Sequence, residues 1–280
     1  MQDILLHIDG YPEATPPEAL DQAVRFAAAA HASLTALAVQ VDLRAPSNWI
    51  ADRLIDLSGL AEEQEAQSLA ACQAAIASFE EALSKHGVTG ECQLTRADYY
   101  RLGEHVARHA RTRDLCLVPM MSPLDGQRSI AEDVVFGSGR PVLLYRPGLA
   151  DLLGQGLSTV VLAWDGSRTA ARAMADALPL LPKARQVRVL TILGDKPETR
   201  PGQGEEAVRH LRAHGVEAVA DDVEAAGRKV GEVLSDYVAT HRSDLLVMGA
   251  YGRSRMREFV LGGATEYMLH DPRVPLMLSH

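Results

Sequence analysis

Short apolar runs alternate along this chain with longer stretches in which apolar residues recur at helical spacing. In the second half the runs near 158–164, 186–193, 216–223, 244–249 and 274–278 read as strands. Helices are expected between them, near 167–181, 203–214, 228–241 and 254–270. The first half follows the same plan, with strands near 3–8, 33–41, 90–96, 114–119 and 141–145. Its second helix is longer, carries Leu69, Cys72, Ile76, Phe79 and Leu83 on one stripe, and ends at Lys85 and Gly87. Strands alternating with helices call for parallel sheets, right-handed crossovers and helices on both faces, an α/β doubly wound architecture.

The chain also repeats itself. "DILLHIDG" at 3–10 matches "TVVLAWDG" at 159–166, both closing on Asp-Gly. "DLCLVPMM" at 114–121 resembles "DLLVMGAY" at 244–251, and "RPVLLYRP" at 140–147 resembles "VPLMLSH" at 274–280. Matches in the same order point to duplication. The expectation is two tandem Rossmann-like domains, 1–147 and 156–280, each a five-stranded parallel sheet flanked by helices. The Pro- and Gly-bearing segment "YRPGLADLLGQG", 145–156, is the expected linker. Each half would leave its last strand at a sheet edge, and an unpaired edge invites association. The two halves are therefore expected to pack together, and the chain either works as that pseudo-dimer alone or pairs again as a homodimer.

Composition narrows the class. A net charge of −9 and a pI near 5.6 argue against nucleic acid as a partner, since phosphate contacts need a basic footprint. No apolar run approaches the roughly 18 residues needed to span a bilayer, so no membrane partner is expected. "MQDILLHIDG" sets Asp3 and His7 where a signal peptide needs a basic region and an apolar core, which makes the cytoplasm the expected location. Three cysteines, Cys72, Cys92 and Cys116, show no metal spacing and suit reduced thiols packed in a core.

In a doubly wound fold ligands bind beyond the carboxyl ends of the strands. Asp165, after the first strand of the second half, and the stretch Gly249 to Gly252, after its fourth, both qualify. Glycines at 249 and 252 would permit positive φ and admit backbone N–H groups to a bulky anion. Gly262-Gly263-Ala264-Thr265 would then open a helix with free N–H groups and a hydroxyl, a seat for phosphates. A surface turn followed by a solvated basic helix explains the same residues. Other signals fail: "GQGEEA" at 202–207 follows a long Pro-bearing loop where a dinucleotide turn must be tight. His105 and His109 share a helix face without a third metal ligand, and neither a Walker A pattern nor a GxSxG elbow occurs.

The spacing Gly249-x2-Gly252-x9-Gly262-Gly263, followed by Ala264-Thr265, resembles the nucleotide-binding signature of universal stress proteins. "DLLVMG" before it, "RVPLML" after it and "WDGS" at 164–167 fit the same family, so the whole chain looks like a tandem universal stress protein. The resemblance implies ATP or another adenine nucleotide as the ligand, with or without Mg. Asp165 would meet the adenosine part, with Met248 and Gly249 beside the ribose. Gly252, Arg253, Gly262, Gly263, Ala264 and Thr265 would surround the phosphates. Many relatives carry serine or threonine where this chain has Gly263, which removes one hydroxyl donor.

In the first half Pro119 stands opposite Gly249 and Ser122 opposite Gly252, and no glycine pair follows, although Asp9 corresponds to Asp165. That half is expected to be nucleotide-free and to serve pairing or recognition. Two functions are compatible with these residues: a stress-response binding and signalling module that holds the nucleotide, or a slow ATP-hydrolysing enzyme. No general base beyond Asp165 stands near the expected phosphates, and hydrolysis needs a positioned water, so no catalytic residue is assigned.

Overall fold

The computed structural model describes residues 1–43, 57–121, 125–147, 156–197, 199–250, 263–270 and 272–280. The first half runs β1 (Asp3–Asp9), α1 (Pro17–Ala30), β2 (Ser33–Asp42), α2 (Leu57–His86), β3 (Gly90–Asp98), α3 (Leu102–Ala110), β4 (Leu115–Pro119), α4 (Asp125–Ser138) and β5 (Val142–Tyr145). The second runs β6 (Leu157–Ala163), α5 (Arg168–Ala177), β7 (Ala184–Leu193), α6 (Gly204–Ala213), β8 (Ala218–Glu224), α7 (Val230–Thr240), β9 (Leu245–Gly249), α8 (Gly263–His270) and β10 (Leu276–Ser279). Of the helix expected over 254–270, residues 254–262 lie outside the described residues.

All strands of the described residues join one sheet of ten in the order β3-β2-β1-β4-β5-β10-β9-β6-β7-β8. Within each half every pairing is parallel and the order is the same, with the first strand between the second and the fourth. The switch point therefore falls beside β1 in one half and β6 in the other, where the crossovers diverge to opposite faces and leave a crevice. The two last strands do not remain edges. β5 and β10 pair antiparallel, Leu143 opposite Met277, so the halves share a continuous sheet whose outer strands are β3 and β8.

Why these segments become central strands follows from their composition. β1, β4 and β9 are nearly unbroken apolar runs because helices cover both of their faces. Ile4, Leu6 and Ile8 face one layer with Ala23, Ala27 and Phe79, while Leu5 faces the other with Val106, Val134 and Val135. Alanine dominates α1, which lets that helix lie close to the sheet, and Pro17 at its first turn supplies a preset φ without wasting a donor. Cys72 and Cys116 are buried within these layers and all three thiols are free.

Register aligns the halves without reference to sequence. Ile4 pairs with Leu115 as Val160 pairs with Leu245, which makes Asp9 the counterpart of Asp165 and Pro119 the counterpart of Gly249. Any difference between the two sites therefore resides in side chains and loops, not in topology.

Candidate functional site

A cavity of about 410 Å³ opens beyond the carboxyl ends of β6 and β9, within the range of small-molecule sites. Ala163, Trp164, Asp165 and Ser167 line it from the end of β6, Met248 and Gly249 from β9, and Gly263, Ala264 and Thr265 from the first turn of α8. Residues separated by about a hundred positions thus meet because β6 and β9 are neighbours. Gly252, Arg253 and Gly262 lie outside the described residues.

Three local devices shape the site. Ser167 caps α5, its hydroxyl accepting from the Ala170 amide at 3.2 Å, so the chain turns directly from Asp165 into a helix. Gly166 makes that turn with φ 72, a conformation that favours glycine. Gly231 brings α7 against α8: a Cβ there would stand 2.4 Å from the Tyr267 Cβ. That contact fixes the helix whose N-terminus faces the cavity.

Gly249 plays a different part from the expected one. Its φ is not in the left-handed region, and no bulky anion is needed to explain it. A Cβ at 249 would lie 2.5 Å from the Thr169 carbonyl carbon and 2.6 Å from the Ala170 nitrogen. The glycine is there so that α5 can close onto β9, which brings its capped end to the cavity. At Gly263, by contrast, an added Cβ would meet nothing within 4 Å among the described residues.

Electrostatics centre on Asp165. One carboxylate oxygen accepts from the Ser167 amide at 2.9 Å, and the other is ion-paired with Lys196 Nζ. Burial pushes this carboxyl up, but the bonds from Lys196 and Ser167 outweigh it and hold the pKa below its ordinary value. Asp165 is therefore ionised at neutral pH and serves as an acceptor. Asp195 and Lys229 also line the cavity. Trp164, in the wall, buries its indole Nε1 with no hydrogen-bond partner among the described residues.

Lys196 is the residue that sequence reasoning missed. It lies in the loop after β7, outside any periodic pattern, and reaches Asp165 because β7 lies alongside β6, Leu190 opposite Ala163. Ser167 had a readable signal, a hydroxyl following Asp-Gly at the start of a helical pattern. Lys229 precedes α7 and had none.

At the corresponding strand end of the first half the acidic residue is buried and engaged. Asp9 is 5% exposed, its Oδ1 lies 2.7 Å from His7 Nε2, and its Oδ2 accepts from Gln127 Nε2 at 3.1 Å. Its amide donates to Thr15 Oγ1 at 2.9 Å. Over Gly10, a Cβ would stand 2.5 Å from Cys72 Sγ and 2.8 Å from the Ser68 carbonyl oxygen. The long α2 thus presses onto the end of β1. Elsewhere, His105 Nε2 lies 3.0 Å from Thr95 Oγ1, and no cluster of three potential metal ligands occurs among the described residues. No helix among them is long and apolar enough to cross a membrane.

A family model described as the universal stress protein family matches residues 156–280. Among solved structures, a universal stress protein from Archaeoglobus fulgidus DSM 4304 is similar with a TM-score of 0.69 at 16% identity, over 99% of this chain and 96% of that one. A protein of unknown function from Pseudomonas aeruginosa PAO1 is similar with a TM-score of 0.55 at 14% identity, over 100% and 92%. At such identities the likeness is one of fold, and it extends across both halves. No curated protein matches the sequence significantly.

Proposed function

Since residues 156–280 match the model of the universal stress protein family, we propose that this half binds ATP or a related adenine nucleotide and works as a stress-response binding and signalling module. The observation that carries this reading is the convergence of Asp165, Met248, Gly249 and the first turn of α8 on one cavity. An acceptor at one wall suits the donors of a nucleoside. Free N–H groups at a helix N-terminus, with the Thr265 hydroxyl nearby, suit phosphates, because both the orphan donors and the helix dipole favour an anion. Lys229 adds positive charge at the same cavity.

The first half is assigned no nucleotide in this reading, since its acidic residue is buried and engaged. It contributes β5 to the shared sheet and a surface for recognition, and a homodimer would have to use another surface than the β5–β10 seam.

Binding is preferred over turnover on the same geometry. A general base must be free to take a proton, whereas Asp165 is held by Lys196 and Ser167. The test is thermal unfolding with and without ATP, paired with mass spectrometry of any nucleotide released on denaturation. A ligand at a hundredfold excess over its dissociation constant stabilises the native state by about 2.7 kcal/mol, a resolvable shift. Prolonged incubation with ATP followed by nucleotide chromatography separates the two readings: steady multiple turnover would establish the hydrolase.

A further inference from the structure

Asp165 and Lys196 do not merely neutralise each other. Both line the cavity, and both remain partly exposed, at 30% and 27% of their side chains. A lysine ammonium has three donors and Asp165 uses one of them; a carboxylate has about four acceptor sites, and Lys196, the Ser167 amide and the Ser167 hydroxyl take three. The pair therefore presents an unused acceptor beside an unused donor to whatever occupies the cavity.

We propose that Lys196 is a specificity-determining residue of this site: it holds Asp165 as a committed acceptor and supplies the adjacent donor, so that together they read a ligand edge carrying a donor beside an acceptor. The amino-bearing edge of an aminopurine has that arrangement, an exocyclic N–H next to a ring nitrogen. This inference rests on the nucleotide reading of the same cavity and adds to it the means by which the base is selected.

Lys196 acts partly through Asp165. Removing its charge leaves a carboxyl whose burial favours the neutral form. Among the described residues the other charged groups lining the cavity are Asp195 and Lys229. A neutral carboxyl can donate as well as accept, so it no longer distinguishes an amino group from its absence. The loss should deepen as the pH falls, because protonation is then more complete.

The experiment compares ATP with purine riboside triphosphate, which keeps the ring nitrogens and lacks the amino group. Both are titrated calorimetrically into the full chain, into Lys196→Met and into Lys196→Arg. The wild type should prefer ATP by about tenfold, the scale of one well-formed bidentate pair. Lys196→Met should reduce that preference to under about threefold and make it fall further on acidification, while Lys196→Arg should restore most of it. Melting of the ligand-free variants checks that both fold. If Lys196→Met binds ATP with the wild-type preference at every pH, the inference is overturned while the nucleotide site stands. If the wild type binds neither ligand, the nucleotide reading fails and this inference fails with it.

Discussion

The Thr169 carbonyl carbon stands where a side chain at position 249 would have to begin, 2.5 Å from the Cβ that Gly249 lacks. The obstacle is backbone on both sides, so neither partner can rotate away. Gly249→Ala should force β9 and α5 apart and destabilise the protein by about 1–3 kcal/mol, the usual range for overpacking. Urea unfolding followed by circular dichroism measures it. A loss below about 0.5 kcal/mol would mean that α5 does not lie this close to β9.

Gly263 offers the opposite test. No described residue comes within 4 Å of a Cβ added there, and it occupies the first turn of α8, where Ser is better suited than Gly to bond an orphan donor or a ligand oxygen. Gly263→Ser should be tolerated and should tighten ATP binding by a few fold, the scale of one neutral hydrogen bond at about 0.5–1.5 kcal/mol. Isothermal titration of the two proteins decides it, and an unchanged or weaker affinity would place this turn away from the phosphates.

Much of this was legible in the chain, for reasons that particular residues make plain. Strands β1, β4 and β9 announced themselves because burial on both faces demands unbroken apolar runs. Asp165 was legible because Asp-Gly closes the same strand twice. Lys196 was not, since an irregular loop has no period and its partner is set by which strands lie side by side. Gly249 was recognised as special but for the wrong cause: a positive φ and a close helix crossing both select glycine, and sequence alone does not separate them. The antiparallel joining of β5 to β10 turned two expected edges into the centre of the sheet.

Acid sensitivity has an identifiable contributor at the junction of α1 and α2. Asp21 accepts from Lys85 Nζ at 2.9 Å, and His86 Nε2 lies 2.8 Å from the same oxygen. The Lys85 bond, opposed by burial and aided by His86, lowers its pKa from 3.8 to about 2. A depressed carboxylate stabilises the fold above its unfolded value and ceases to do so as the pH falls through the folded one. The stability gap between wild type and Asp21→Asn should therefore be open above about pH 4 and should close toward about pH 2. Urea midpoints measured across that range would contradict this if the gap widened on acidification.

The central claim is one nucleotide site per chain, in the second half. Calorimetric titration of ATP into the intact protein and into Asp9→Ala, Asp165→Ala and Gly252→Val tests it most directly. The account predicts a single site in the wild type and in Asp9→Ala, weaker binding in Asp165→Ala, and none in Gly252→Val, which removes a glycine of the spacing that resembles the nucleotide-binding signature. Two sites per chain, or binding that survives Gly252→Val and is lost with Asp9→Ala, would contradict it.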